Sequence, residues 1–362
     1  MINFVEQLEE FRDARRNAFV AALSLHASGK IIAGIFGLAV PREILWASDI
    51  VPVNIYSIDG SNIDAARELA EECNCAIIKG SYGYAITNKC PLTYFSDIII
   101  GNNMCSSKAS MINKLGNFKK LYILPMGNDT SVMSSEYRSF AGYLESEYNL
   151  KIDDDNLSEA IKKLNKISNK IHELLNLGIS RSDILSCYDL HNIIYGSQFL
   201  FDLEERYQKL DAITEYIKSA AYIPNNKMVK RILITGAPKA GLAEKILKPL
   251  ADFKDIAFIF SEYCCEGEIY KIADENKSPY EALAEKYTNI DIQNNLLKMA
   301  DYYKADAIID ISLKGCSVMT DFYKHLGLPY LSIITDYFDD DNEDVMHDIS
   351  SFIKFNLFSN VK

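Results

Sequence analysis

No stretch of this chain approaches the ~18 consecutive apolar residues that a membrane-spanning helix needs. The opening, MINFVEQLEEFRDARRNAFVAAL, is charged and amphipathic and has no apolar core of the kind a secretory signal carries. The expectation is a cytoplasmic protein with no membrane partner. Basic charge is also short: 38 Lys and Arg stand against 50 Asp and Glu, a net charge of -12. Nucleic acids and anionic membranes select clustered Lys and Arg, so neither is the expected main partner. An acidic surface still leaves room for a local basic pocket around a phosphorylated substrate. Low-complexity tracts, fixed-period repeats, a GxxxxGK[ST] phosphate loop and CxxC pairs are all lacking. The five histidines form no metal-binding pattern; His172, His191 and His325 read as surface or capped structural residues.

What is present is an alternation. Apolar runs such as KIIAGIFGLAV (30–40), VPVNIYSI (51–58), FSDIIIGNN (95–103) and KKLYILPMG (119–127) read as buried strands. Between them, PREILWASD (41–49), NIDAARELAEEC (62–73) and SSKASMINKLGNF (106–118) read as helices. Residues 132–222 are helical almost throughout. The alternation restarts with RILITG (231–236), a helix over 242–253 broken at Pro249, IAFIFSE (256–262), helices at SPYEALAEKY and NNLLKMADYYKA, and DAIIDISL (306–313). A helix at 321–327 and a last strand at 329–337 follow. Near-continuous apolar strands separated by helices indicate parallel sheets covered on both faces. The 362 residues suit two domains. The expected architecture is therefore α/β: two doubly wound, Rossmann-like parallel-sheet domains (1–130 and 226–362) with a helical segment (131–225) between them. The acidic stretch 149–163 reads as solvated helix surface.

Eight cysteines in a reducing compartment need a reason other than disulfides. Cys187, alone in RSDILSCYDL, suits a core filler. Four others fall where ligands bind in an open parallel sheet, beyond the carboxyl ends of strands. Cys105 follows the 95–103 strand, Cys264 and Cys265 follow 256–262, and Cys316 follows 306–313. Cys75 and Cys90 lie in a loop-like region, CAIIKGSYGYAITNKCP. Thiolates select zinc, copper(I) or iron–sulfur clusters. Structural zinc favours short CxxC pairs, whereas Cys73 and Cys75 make a CxC. Ligands spread along the chain suit a cluster between two domains; zinc and unliganded or redox thiols are the alternatives.

Residues 75–112, CAIIKGSYGYAITNKCPLTYFSDIIIGNNMCSSKASMI, resemble the pattern of 2-hydroxyacyl-CoA dehydratase subunits and of their relatives, the double-cubane-cluster anaerobic reductases. RILITGAPKAGLAEKILKPL, SEYCCEGEIY, SPYEALAEKY and DAIIDISLKGC with GLPYLSIITDY continue that resemblance in order. It implies that Cys75, Cys105 and Cys316 hold a [4Fe-4S] cubane. Cys90 and Cys264, or its neighbour Cys265, then serve a second cubane, giving a double-cubane [8Fe-9S] cluster. Three departures bear on this. The I-P-C-S-C segment of the reductases becomes NIDIQNN (289–295), without cysteine, which leaves a six-thiolate double cubane incomplete unless Cys265 or Cys73 substitutes. T-C-D-G-K-K-K becomes MCSSKASM, in which Lys108 is the remaining basic residue. The usual Gly pair after the second-half cysteine is Glu266-Gly267.

The resemblance further implies an ATP-dependent activator protein as electron donor, a homologous or identical subunit forming a dimer, and an acyl-CoA or other small-molecule substrate. A diverged, non-catalytic partner subunit or electron carrier is the alternative. Lesser candidates are Lys79, Ser81 and Tyr82 beside Cys75, and Glu262 and Glu266 as proton carriers beside Cys264. GAPKAG (236–241) reads as a tight strand–helix turn, too short for a phosphate loop.

Overall fold

A computed structural model describes residues 3–37, 39–69, 73–102, 105–221, 229–261, 270–288, 292–316, 326–337 and 340–358. The chain opens with α1 (Phe4–Ala27), whose start is closed by a reciprocal Asn3–Glu6 capping box. Then come β1 (Ile32–Phe36), α2 (Arg42–Ala47), β2 (Val51–Asn54), a 3-10 stretch (Ile63–Leu69), α3 (Ala76–Ile86), α4 (Pro91–Phe95), β3 (Ile98–Asn102), α5 (Ser106–Leu115) and β4 (Leu121–Leu124). Four helices follow in succession: α6 (Thr130–Tyr148), α7 (Asp154–Ser180), α8 (Cys187–Ser197) and α9 (Leu203–Ser219). Then come β5 (Lys230–Gly236), irregular turns ending in α10 (Lys248–Leu250), β6 (Ile256–Phe260), α11 (Pro279–Tyr287), α12 (Ile292–Tyr302), β7 (Ala307–Leu313), β8 (Tyr330–Thr335) and α13 (Asn342–Leu357).

The strands form two four-stranded parallel sheets, ordered β2-β1-β3-β4 and β6-β5-β7-β8. The two orders are the same when each half is counted from its own first strand. Alternate residues of β1 enter different apolar clusters: Ile32 and Phe36 one, Ala33 and Ile35 another. Both faces of the sheet are therefore covered, which is why its strands are apolar at nearly every position. The cluster holding Ile32 also holds Ile232, Ile234 and Ile309 from the second sheet, so one core runs between the sheets. Leu233, Ile259 and Ile308 face a separate cluster with Leu296 and Ala300 of α12. A fourth cluster joins Leu8 and Phe11 of α1 to α7, α8 and α9.

α11 departs from sequence order. It follows β6 of the second sheet, yet Tyr280, Leu283 and Tyr287 pack on the outer face of the first. It is pinned there by a buried ion pair, Lys286 Nζ to Glu43 Oε1 of α2 at 2.7 Å, with both side chains 1% exposed. The Tyr287 hydroxyl donates to Glu43 Oε2 at 3.1 Å. Burial, with Glu43 beside it, raises the Tyr287 hydroxyl well above its usual range.

Several local expectations are revised. The helix expected over 62–73 is a 3-10 stretch, Ile63–Leu69, broken by non-helical torsions at Ala66. The loop expected over 75–91 is two helices, α3 and α4. Glycines made α3 look like a loop, but they serve close packing. A Cβ on Gly83 would overlap the backbone carbonyl of Asn62. The break expected at Pro249 comes earlier, as a π-helical turn over Ala243–Leu247, with Pro249 in the first turn of α10. α13 is an additional element, with Val345, Ile349 and Ile353 buried at four-residue spacing. Most of the helix expected at 321–327 lies outside the described residues.

Candidate functional site

The strand order of each sheet reverses between its first and third strands, and ligands of such sheets bind beyond the carboxyl ends beside that reversal. Cys105 lies three residues past the end of β3 (Asn102), and Cys316 three past the end of β7 (Leu313). The two thiols thus hold equivalent stations in the two sheets. Gly315, immediately before Cys316, sits at φ +74°, and a Cβ there would lie 2.7 Å from the carbonyl oxygen of Asn74 and closer still to its Cβ. Asn74 immediately precedes Cys75. The segments bearing Cys75 and Cys316 are therefore packed together across the two halves of the chain.

Among the described residues, three helices have a cysteine as N-cap: Cys75 for α3, Cys90 for α4 and Cys105 for α5. None makes a side-chain capping hydrogen bond. Five helices are capped by Asn3, Asp129, Asp153, Ser186 and Asp202, each accepting a backbone N–H, whereas α2, α10, α11 and α13 also start without a side-chain cap. An oxygen-bearing cap contributes ~1 kcal/mol that a cysteine forgoes. At α3 and α5 the partial positive charge of the first turn also favours an anionic group. The donor set thus fits an anionic, thiolate-bound cluster. Among the described residues, no three His, Cys, Asp or Glu side chains form a set for a single metal ion. A cubane differs in holding each thiolate on a separate iron.

The remaining cysteines divide. Cys187 is buried, its Sγ lies 3.3 Å from the carbonyl oxygen of Leu247, and burial pushes its thiol up to about 12, as suits a core filler. Cys73 is buried with its Sγ 3.8 Å from the Cys75 carbonyl oxygen. Cys264, Cys265, Glu262 and Glu266 lie outside the described residues.

Two lesser candidates have structural partners. Ser81 Oγ accepts from the Ser57 N–H at 2.8 Å and donates to Ile77 O at 2.6 Å. Tyr82, buried, donates to Glu68. Lys79 is half-buried. Lys108, the basic residue retained after Cys105, is fully buried with its Nζ 5.7 Å from the centre of the Phe36 ring. Lys239 of the GAPKAG turn is likewise fully buried, donating to Ala237 O at 2.5 Å.

One polar group left no mark in the sequence pattern. Asp59, beyond β2, accepts the Tyr84 hydroxyl at 2.8 and 2.9 Å. Burial opposes ionisation of Asp59, but hydrogen bonds from Ser61 and Tyr84, with Arg15 nearby, hold the carboxyl below its usual range. Arg15 of α1 is half-buried; desolvation opposes its charge, but Tyr195, Cys90, Tyr56 and Asp59 together outweigh that and raise it above its usual range. Its place in the RDARR run carried no sign of this, because such runs normally face water.

His191 is neither on the surface nor capped. It is buried, stacked on Tyr195 and edge-on to Phe260, and its Nε2 has no hydrogen-bond partner among the described residues. Burial, helped by Lys239, pushes its imidazole down to about 3. A base held neutral in the fold stabilises fully above its unfolded pKa, ~6.5. That stability is lost as pH falls through the window from ~6.5 toward ~3. Its share of the loss between pH 7 and pH 5 is about 2 kcal/mol. His191→Phe should flatten that part of the profile, read from urea midpoints at the two pH values. An unchanged slope would place the imidazole in water.

Two four-stranded parallel sheets of one strand order, joined by helices, make this an α/β protein. Comparison with known proteins gives the family. The family model for the 2-hydroxyglutaryl-CoA dehydratase, D-component, matches residues 38–355, and the chain belongs to this family. It is also 26% identical over 373 residues to "Putative dehydratase subunit YjiM" of Escherichia coli (strain K12), covering 96% of this chain and 97% of that protein.

Proposed function

We propose that this dehydratase-family subunit carries a low-potential iron–sulfur cluster, held by Cys75, Cys105 and Cys316. We further propose that it acts in radical dehydration of a 2-hydroxyacyl-CoA or in a related ATP-dependent reduction. The observation that carries the reading is the Gly315–Asn74 contact. It joins two of the three cysteine segments, while Cys105 stands at the station of β3 that Cys316 holds on β7. When bound, such a cluster supplies one electron to a thioester carbonyl, so that the 2-hydroxyl can leave and the β-proton becomes acidic. The chain's own part is to hold three thiolates in place and to keep water from them. Cys75, Cys105 and Cys316 are only partly buried, so a second, homologous or identical subunit would complete that exclusion. With no phosphate loop of its own, the chain depends on an activator protein for ATP-driven electron delivery.

Cys105→Ser, purified anaerobically, should lose most of its iron; iron content equal to the parent would reject the ligand assignment. About four irons per parent chain would mean one cubane. About eight would mean a double cubane drawing on Cys90 and Cys264 or Cys265. A second reading, a cluster-bearing partner subunit that does not itself turn over, is favoured by the burial of Lys108, which withholds that charge from a substrate. It predicts a bound cluster with turnover only when a homologous chain is added.

A further inference from the structure

A second site stands apart from the cysteine-led helices. An open cavity of about 1160 Å³ lies among α1, the end of α2, the start of α7 and the segment joining α8 to α9, about the upper size of small-molecule sites. Lys30, just before β1, and Val51, the first residue of β2, both line it. It therefore sits at the amino ends of these strands, whereas Cys105 and Cys316 follow carboxyl ends. The lining segments, 10–30, 46–51, 156–163 and 199–209, fall wholly within the described residues.

The space exists because alanines face it. Ala14, Ala18 and Ala21 recur at four- and three-residue spacing along one face of α1, and Ala47 of α2 and Ala160 of α7 join them in the lining. Trp46 and Phe201 add aromatic wall. A hydrocarbon body placed here meets apolar surface.

The charges of the lining are unbalanced toward the negative. Every lining ammonium is already paired: Lys30 with Asp49, Lys163 with Glu159 at 3.8 Å, and Lys209 with both Glu10 and Glu205. Asp202 and Glu204 also line the cavity and have no cationic partner among the described residues. Asp202 accepts the Glu205 N–H and Glu204 accepts the Gln208 amide, both at 2.9 Å, contacts that leave each carboxylate its charge. The amino end of α9 supplies roughly half a positive charge, less than these two carboxylates carry. Arg206, next along α9, is buried and outside the lining. A single metal ion is not the match, since no three His, Cys, Asp or Glu side chains among the described residues form a set for one. An ammonium group is, because it donates in three directions to separate carboxylates and is attracted to aromatic faces.

We propose that this cavity binds an organic amine, its ammonium meeting Asp202 and Glu204 and its hydrocarbon body lying along the alanines of α1. The inference does not depend on iron, so its test separates from that of the cluster.

Trp46 is the one tryptophan of the chain and reports on the cavity directly. The probe is octylamine, titrated into the full chain by Trp46 emission and by calorimetry, with 1-octanol as its uncharged counterpart. One saturable site per chain is expected, with the alcohol bound about three- to tenfold more weakly, as befits loss of contacts to two exposed carboxylates. Asp202→Asn combined with Glu204→Gln removes both charges while Asn keeps the helix cap. That variant should bind the amine no better than the alcohol and leave the alcohol unchanged. Removing two charges from α13 instead, with Glu343→Gln and Asp344→Asn, should leave both affinities as they are. Ala21→Phe, which fills the cavity, should abolish binding of both. Absence of saturable binding to the parent chain overturns the proposal. So does equal affinity for amine and alcohol, or equal weakening by the α13 pair, which would mean that the net charge of the chain attracts the amine.

Discussion

Gly315→Ala is expected to destabilise the chain by about 2–5 kcal/mol and to lower its iron content. Two costs add. An L-residue in the left-handed region costs roughly 1–2 kcal/mol, and position 315 has φ +74°. A new Cβ would also stand 2.7 Å from the Asn74 carbonyl oxygen, and forcing an atom into a packed contact costs ~1–3 kcal/mol. Relief of that strain pushes the Cys316 loop away from the Cys75 segment, and the proposed shared cluster would not tolerate such a separation. Gly29 provides the control, with φ +78° and nothing within 4 Å of the place a Cβ would take. Gly29→Ala should show the torsional cost alone and keep its iron. Equal urea midpoints for the two variants, with full iron in both, would mean that the loops do not meet.

Lys286→Met should cost about 3–5 kcal/mol, because it strands the Glu43 carboxylate in a dry site. Both partners are 1% exposed and 2.7 Å apart, and the contact ties α11 to α2 across 243 residues of sequence. The Tyr287 hydroxyl remains as a donor to Glu43, but it cannot replace a positive charge. Glu43→Gln combined with Lys286→Met should recover much of the loss, since the unpaired charge is then gone. A double-mutant cycle in urea measures this. A single variant within ~1 kcal/mol of the parent would show that water reaches the pair and that the surface-pair value applies.

The strands were legible because both faces of each sheet are covered. Ile32, Ile99, Ile232 and Ile309 are all buried, and the resulting apolar runs mark β1, β3, β5 and β7 without reference to any neighbour. The helical segment was legible from its three- and four-residue spacing, as in Leu157, Ala160, Ile161 and Leu164 of α7. The siting of Cys105 and Cys316 just past apolar runs was legible for the same reason. α3 was not, because Gly80 and Gly83 are turn residues by composition and close-packing residues in fact. Arg15 and His191 were not, because a charge run and a lone histidine look solvated until another helix covers them.

Local residue chemistry by itself determined the parallel sheets, the helical stretch between them and the candidate thiols. Each depends on which side chains shed water, a property each segment carries alone. Tertiary structure decided which segments meet: Asn74 against Gly315, and α11 on the far sheet. Those contacts join residues far apart in the chain, and their energies exist only once both partners have been brought together and dried.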